Sequence, residues 1–113
     1  QNDFLRGSKS DDYLLGGGGN DKILGSQGND VLDGGSGNDM INGGKGEDKY
    51  ILSIGKDKFQ GVKLREGDVI EIDSTIDFKL TSFKKHSKII HDDGVTVVKG
   101  IGTSDLESAI EIV

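Results

Sequence analysis

The chain has no cysteine among its 113 residues. That excludes a disulfide framework and any metal site built on thiolates. Apolar residues make up only 32% of it, which is little for a globular core. No apolar run approaches the length of a membrane span. Basic residues are outnumbered, with 14 Lys and Arg against 20 Asp and Glu and a formal charge of −6. Phosphate backbones need a basic surface, so no nucleic-acid partner is expected. The opening residues, QNDFLRG, have neither a basic n-region nor an apolar h-region, so no cleavable secretory leader is read there. They also lack a starting Met and begin partway through a repeat, which suggests a segment of a longer protein.

The marks of an active site are missing too. No motif such as GxSxG places a nucleophile. His86 and His91 are the only histidines. Neither has a partner at ligand spacing, and both read as surface residues. Carboxylates abound, but a catalytic pair needs two different environments to separate its pKa values. Here the aspartates repeat in a single environment, so no enzyme is expected.

What the chain has instead is glycine, 19 residues of it, in a nine-residue repeat. Gly16 to Asp48 reads GGGGNDKIL, GSQGNDVLD, GGSGNDMIN, GGKGED. Asp21, Asp30, Asp39 and Asp48 hold the sixth position of each unit. The register runs back through Asp12 to Asp3, where Ser10 replaces a glycine, and forward to a worn unit that keeps Gly55, Asp57 and Phe59. After Gln60 it breaks, and Glu66 to Ile70 looks like a last, displaced turn and strand. A strict period of this kind means one supersecondary unit stacked on itself.

Each unit divides into a glycine-rich turn needing positive φ and a three-residue strand whose middle side chain points inward. The inward column is Leu5, Leu14, Ile23, Leu32, Ile41, Tyr50 and Phe59. If two units make a coil, Leu5, Ile23, Ile41 and Phe59 face Leu14, Leu32 and Tyr50 across a thin core. The aspartates then form two columns, Asp12, Asp30 and Asp48 on one edge and Asp3, Asp21, Asp39 and Asp57 on the other. One apolar side chain per unit offsets neither the entropy of the glycines nor the repulsion of the carboxylates. A hard cation between turns spaced ~4.8 Å apart would supply what is missing. Ligands made only of oxygen favour Ca²⁺ over zinc or copper, and Mg²⁺ suits less because it keeps its waters. A phosphate-binding loop would need a Lys and a following helix. A flexible linker would not keep an apolar residue at every ninth position.

These units resemble the nonapeptide GGxGxDxUx of RTX (repeats-in-toxin, hemolysin-type) proteins, and the match spans Asn2 to about Gln60. The resemblance implies an all-β fold, a right-handed parallel β-roll with Ca²⁺ in its turns. By position it implies backbone carbonyl ligands from Gly17 and Gly19 with Asp21, and from Ser26 and Gly28 with Asp30. Likewise it pairs Gly35 and Gly37 with Asp39, and Gly44 and Gly46 with Asp48. Asp12 and Asp57 complete the set at the worn ends. About four ions are expected, within a range of three to five.

Residues 61–113 follow the 1–60 roll as a small β-rich cap over its open end. Asp68 to Ile72 reads as a strand and Phe78 to Phe83 alternates. Ser87 to Lys99 reads as a hairpin turning at Asp92-Asp93-Gly94. Ser104 to Glu107 fits a capping box for one short helix. Glu111-Ile112-Val113 suits either an ordinary last strand or the terminal signal that the family uses for type I secretion. The expected role is a calcium-binding module of a secreted, extracellular protein. It would fold on Ca²⁺ outside the cell and act with upstream domains and the type I secretion machinery. The alternative is an adhesive or polysaccharide-binding module.

Overall fold

The computed structural model describes residues 2–83 and 85–113. The repeats form β1 (Phe4–Arg6), β2 (Tyr13–Leu15), β3 (Lys22–Leu24), β4 (Val31–Asp33), β5 (Met40–Asn42), β6 (Lys49–Ile51) and β7 (Gly55–Gln60). A turn of 3-10 helix at Leu64–Glu66 leads into β8 (Val69–Ile72). Then come β9 (Phe78–Phe83), β10 (His86–His91), β11 (Gly94–Val98), α1 (Thr103–Ala109) and β12 (Ile110–Ile112).

Odd and even repeat strands separate into two sheets. One runs β1-β3-β5-β7-β11-β10-β9 and the other β12-β8-β6-β4-β2. Within the repeats every pairing is parallel, and partners lie two units apart. Leu5 pairs Ile23, Ile23 pairs Ile41, and Ile41 pairs Phe59. Across the core, Leu14 pairs Leu32 and Leu32 pairs Tyr50. The fold is therefore the expected parallel β-roll, two units to a coil.

The core is uneven along its length. Ile23, Leu32, Ile41, Tyr50 and Phe59 are fully buried, while Leu5 and Leu14 at the N-terminal end are only partly covered. Towards the C-terminus Leu52, Val62, Ile70, Ile72, Ile89, Val98, Ile101 and Leu106 join the same cluster. Tyr50 is large enough to need a polar outlet. Its hydroxyl accepts from the Gly43 N–H and donates to the Gln60 carbonyl, both at 2.7 Å.

Both sheets continue past residue 60. β8 pairs β6 in parallel with Tyr50 opposite Ile70, although the step is now 20 residues rather than 18. The 3-10 turn and Gly67, at φ +93°, absorb the two extra residues. On the other sheet β11 pairs β7 in parallel, with Thr96 opposite Asp57 and Val98 opposite Phe59. β9 and β10 then add antiparallel, and β12 adds in parallel to β8.

Two expectations change here. The helix is present, but Ser104 does not cap it. Gly102 holds the N-cap with no side-chain bond, and α1 begins at Thr103. Leu106 and Ala109 are buried, so packing of that face sets where the helix starts. His91 is not at the surface, being only 9% exposed. It alternates onto the inner face with Ser87 and Ile89, opposite Gly94, which offers no side chain to compete. Among the described residues no helix is long and apolar enough to cross a membrane.

Candidate metal centre

The turns place backbone oxygens and aspartates between successive coils. The second and fourth residues of the repeats take positive φ: Gly17 +83°, Gly19 +98°, Gly28 +91°, Gly35 +77°, Gly37 +108°, Gly44 +78° and Gly46 +103°. Ser26 does so as well at +75°, the one non-glycine residue of this kind among those described. Their carbonyls point along the roll at the next coil. The Gly17 oxygen lies beneath the α-carbon of Gly35, Gly19 beneath Gly37, Ser26 beneath Gly44, and Gly28 beneath Gly46. A Cβ at any of these upper glycines would collide with that oxygen, which is why the turn requires glycine there.

The aspartates have two separate oxygen roles. From Asp21 to Asp57 each Oδ1 accepts the backbone N–H of the aspartate one coil below. Asp39 accepts from Asp21 at 2.8 Å and Asp57 from Asp39 at 2.9 Å. On the opposite edge Asp30 accepts from Asp12 at 2.8 Å and Asp48 from Asp30 at 3.0 Å. The Oδ2 atoms of Asp21, Asp30, Asp39 and Asp48 are buried and have no protein partner. Buried carboxylate oxygens left unpaired are costly, so these four atoms mark where a cation is wanted.

The remaining aspartates differ. Asp12 Oδ2 accepts from the Ser8 N–H at 2.6 Å and from the Ser8 hydroxyl at 3.1 Å. Asp57 Oδ2 accepts from the Ser53 hydroxyl at 3.0 Å. The chain itself satisfies the acids at the worn ends and leaves the central four open.

Burial raises carboxyls in both columns, the worn-end Asp57 included. Burial pushes the Asp39 carboxyl up to about 6, with the Asp57 and Asp21 charges adding to the rise against the Asp21 hydrogen bond. Burial likewise pushes Asp48 up to about 7, helped by Asp68 and Asp30. Asp30 and Asp57 are also raised, chiefly by desolvation. Neighbouring carboxylates stacked with no cation between them resist ionising together.

The first glycine of each unit completes the cradle. A Cβ on Gly25 would sit 2.6 Å from Asp30 Oδ2 and 2.5 Å from the Gly43 carbonyl oxygen. One on Gly16 would sit 2.6 Å from Asp21 Oδ2 and 2.7 Å from the Gly34 oxygen. Among the described residues no three acidic or imidazole side chains converge. An ion held here must therefore draw on backbone carbonyls as well as on aspartate. That all-oxygen donor set fits Ca²⁺.

Two features escaped sequence reasoning. Asp68 continues the column of Asp12, Asp30 and Asp48: its Oδ1 accepts from the Asp48 N–H at 2.7 Å, and its Oδ2 from the Lys63 N–H at 2.7 Å. The spacing Asp68-x-Ile70 matched the repeat, but the two-residue slip hid it. The fifth-position side chains also form ladders. Asn20 Oδ1 accepts from the Asn38 N–H and Asn29 Oδ1 from the Glu47 N–H, both at 2.9 Å. Recurrent Asn before each Asp was the available sign.

Residues 1–32, 16–50 and 24–58 match the RTX calcium-binding nonapeptide repeat. These matches cover more than half of the chain, which belongs to that family and carries RTX calcium-binding repeats. The solution structure of the AlgE6R3 subunit of the Azotobacter vinelandii mannuronan C5-epimerase shares the fold. It is 20% identical with a TM-score of 0.66, over 97% of this chain and 77% of that one. The extracellular lipase LipA of Serratia marcescens is 16% identical with a TM-score of 0.61, over 95% of this chain and 20% of that one. No curated protein matches the chain by sequence.

Proposed function

We propose that this chain is a module whose roll assembles on Ca²⁺ outside the cell, as part of a larger secreted protein. The four orphaned Oδ2 atoms of Asp21, Asp30, Asp39 and Asp48 carry the reading. They imply four principal sites, one per atom. Each would combine its aspartate with second- and fourth-position carbonyls, Gly17 and Gly19 for Asp21 and so on through Gly44 and Gly46 for Asp48. Asp12 and Asp57, already satisfied by serine, contribute little. Bound Ca²⁺ supplies the positive charge that lets the stacked carboxylates ionise inside the roll.

Where free Ca²⁺ is scarce, the acids repel and the glycines stay disordered, a state suited to export through a type I machinery. Binding to the folded state alone stabilises it by RT ln(1 + [L]/Kd), about 2.7 kcal/mol per site at a hundredfold excess. Extracellular calcium modules commonly have Kd of ~10⁻⁴–10⁻³ M. In this reading the chain runs no reaction of its own and serves the folding of upstream domains.

Circular dichroism during a Ca²⁺ titration, with Mg²⁺ as control and a metal count at saturation, tests the proposal. A full β spectrum already present in EDTA would overturn the coupling of folding to metal. A count well below four would overturn the site assignment.

A further inference from the structure

Six buried side-chain atoms among the described residues have no hydrogen-bond partner. Four are the aspartate oxygens to which the proposed function gives Ca²⁺. The other two are His91 Nε2 and Thr96 Oγ1, and they belong to the hairpin of β10 and β11. Thr96 is fully buried and His91 nearly so. Such atoms are costly to leave open, and the four calcium positions do not account for them.

Register brings both side chains to the end of one aspartate column. β11 replays the repeat, with Thr96 opposite Asp57 and Val98 opposite Phe59. A Cβ on Gly94 would collide with the Gly55 carbonyl, as one on Gly55 would with the Gly37 carbonyl. Gly94-Val95-Thr96-Val97-Val98 thus takes the place of the next G-x-D-x-U, with a hydroxyl where the carboxylate should stand. His91 pairs Gly94 from the far side and alternates inward. Asp57, Thr96 and His91 therefore share one inner face on three adjacent strands. Asp57 and Thr96 are direct neighbours, on strands ~4.8 Å apart. His91 is diagonal to Thr96, at ~7–8 Å between α-carbons. Gly94 and Gly55 carry no side chains, so the imidazole has room to reach towards Asp57. Burial raises the Asp57 carboxyl, and the His91 charge is among the influences that lower it, which sets the ring within electrostatic reach of the carboxylate.

We propose that Asp57, His91 and Thr96 form a site for one borderline divalent cation, Zn²⁺, that ties the β10–β11 hairpin to the last coil of the roll. His91 Nε2 supplies a nitrogen, Thr96 Oγ1 a hydroxyl oxygen and Asp57 the negative charge. Each Asp57 oxygen already accepts one hydrogen bond, from the Asp39 N–H or the Ser53 hydroxyl, and keeps a lone pair for a metal. The Ser53 hydroxyl, 3.0 Å from Asp57 Oδ2, is the nearest fourth donor. Only two of these groups are acidic or imidazole, so they form no cluster of three such side chains. Ca²⁺ fits the site poorly, because it takes roughly six to eight oxygens. Zn²⁺ accepts imidazole and carboxylate together and is complete with about four donors. The same column thus changes its metal preference where the repeat changes its residues.

The test is calorimetric titration of the chain with Zn²⁺ in excess Ca²⁺. One Zn²⁺ per chain should bind and should raise the denaturation midpoint. H91Q and T96V should each weaken binding by at least about tenfold, the loss that even outer partners of a metal ligand cause. H86Q should bind as the wild type does, since His86 lies outside the site and its Nδ1 accepts from the Gly100 N–H. Circular dichroism checks that each variant folds. The imidazole nitrogen resonances of His91 in the wild type, which need no variant, should shift up to one equivalent of Zn²⁺. No stoichiometric Zn²⁺ binding would overturn the proposal, as would zinc that added Ca²⁺ displaces. An equal loss in H86Q, or a His91 ring that does not respond, would also overturn it. Failure of Ca²⁺-dependent folding shows separately in the circular dichroism and bears on the folding proposal instead.

Discussion

The repeat array and the C-terminal half share the same two sheets but solve the problem of stability differently. Each array unit turns one apolar side chain inward, and four of the array's aspartates keep an oxygen that nothing in the chain satisfies. The C-terminal half adds Val62, Ile70, Ile72, Ile89, Val98, Ile101 and Leu106 to the core. Several of its polar groups close internally, as where the Ser87 hydroxyl donates to the Ile101 carbonyl and the Lys63 N–H to Asp68, while His91 Nε2 and Thr96 Oγ1 are buried without a hydrogen-bond partner. The first half leaves buried carboxylate oxygens open over a thin core, whereas the second rests on a larger apolar cluster. The same contrast recurs within the array, where Asp12 and Asp57 have serine partners and the central four do not.

The comparison meets its hardest test in metal removal. Hydrogen exchange in EDTA should show the amides of β3 to β6 losing nearly all protection, with those of β10 and β11 losing less. Equal loss in both halves would make them one cooperative unit and end the distinction. Next in size is Gly25→Ala, which drives a methyl against Asp30 Oδ2 and the Gly43 carbonyl. It should cost ~2–4 kcal/mol in Ca²⁺ and be read as a lowered denaturation midpoint. By contrast Gly100→Ala, at positive φ but in open space, should cost about 1 kcal/mol.

The aspartates sharpen the comparison further. Asn keeps the Oδ1 ladder acceptor and removes the charge at Oδ2. In Ca²⁺, Asp30→Asn or Asp39→Asn should lose about the ~2.7 kcal/mol of one site. Asp12→Asn and Asp57→Asn should lose less than ~1 kcal/mol. In EDTA the sign should reverse for Asp39→Asn, because a buried unpaired charge has been removed.

The pH dependence follows from the same charges. Asp39 and Asp48 titrate near 6 and 7 in the folded state against an ordinary value of 3.8. Protonation therefore favours the metal-free roll. That stabilisation is complete below about pH 4 and is lost as pH climbs through 6 to 7. Circular dichroism in EDTA should show more β structure at pH 5 than at pH 8, which lie on either side of the raised values. Apparent Ca²⁺ affinity should move the opposite way. The smallest effect belongs to Lys49→Ala, whose pair with Glu71 is part-exposed at 3.2 Å and should contribute under ~1 kcal/mol.

Strict periodicity made the roll legible before any coordinates. An apolar residue at every ninth position and a two-unit coil were enough to place Ile23 beside Ile41 and Leu32 beside Tyr50. The aspartate columns followed from the same arithmetic. Where the period slipped, legibility ended. The two residues inserted before Asp68 concealed the last member of a column. The long excursion from Asp57 to Thr96 concealed that β11 continues the sheet. His91 looked like a surface residue because its burial depends on Gly94 across a hairpin, a relation between strands that local composition does not express.

The sequence alone thus determined the unit, its inward residue, its turn chemistry and its preference for a hard cation. These are local properties, repeated until they become unambiguous. Tertiary structure decided which aspartates remain open and which the chain satisfies, since that depends on whether a serine hydroxyl or a backbone N–H reaches Oδ2 in space. It also decided that Asp57, Thr96 and His91 meet on one inner face. That meeting depends on register between strands far apart in the chain. The serine contacts span only four residues, yet Ser26 stands at the same spacing from Asp30 and leaves its Oδ2 open, so spacing alone does not decide them.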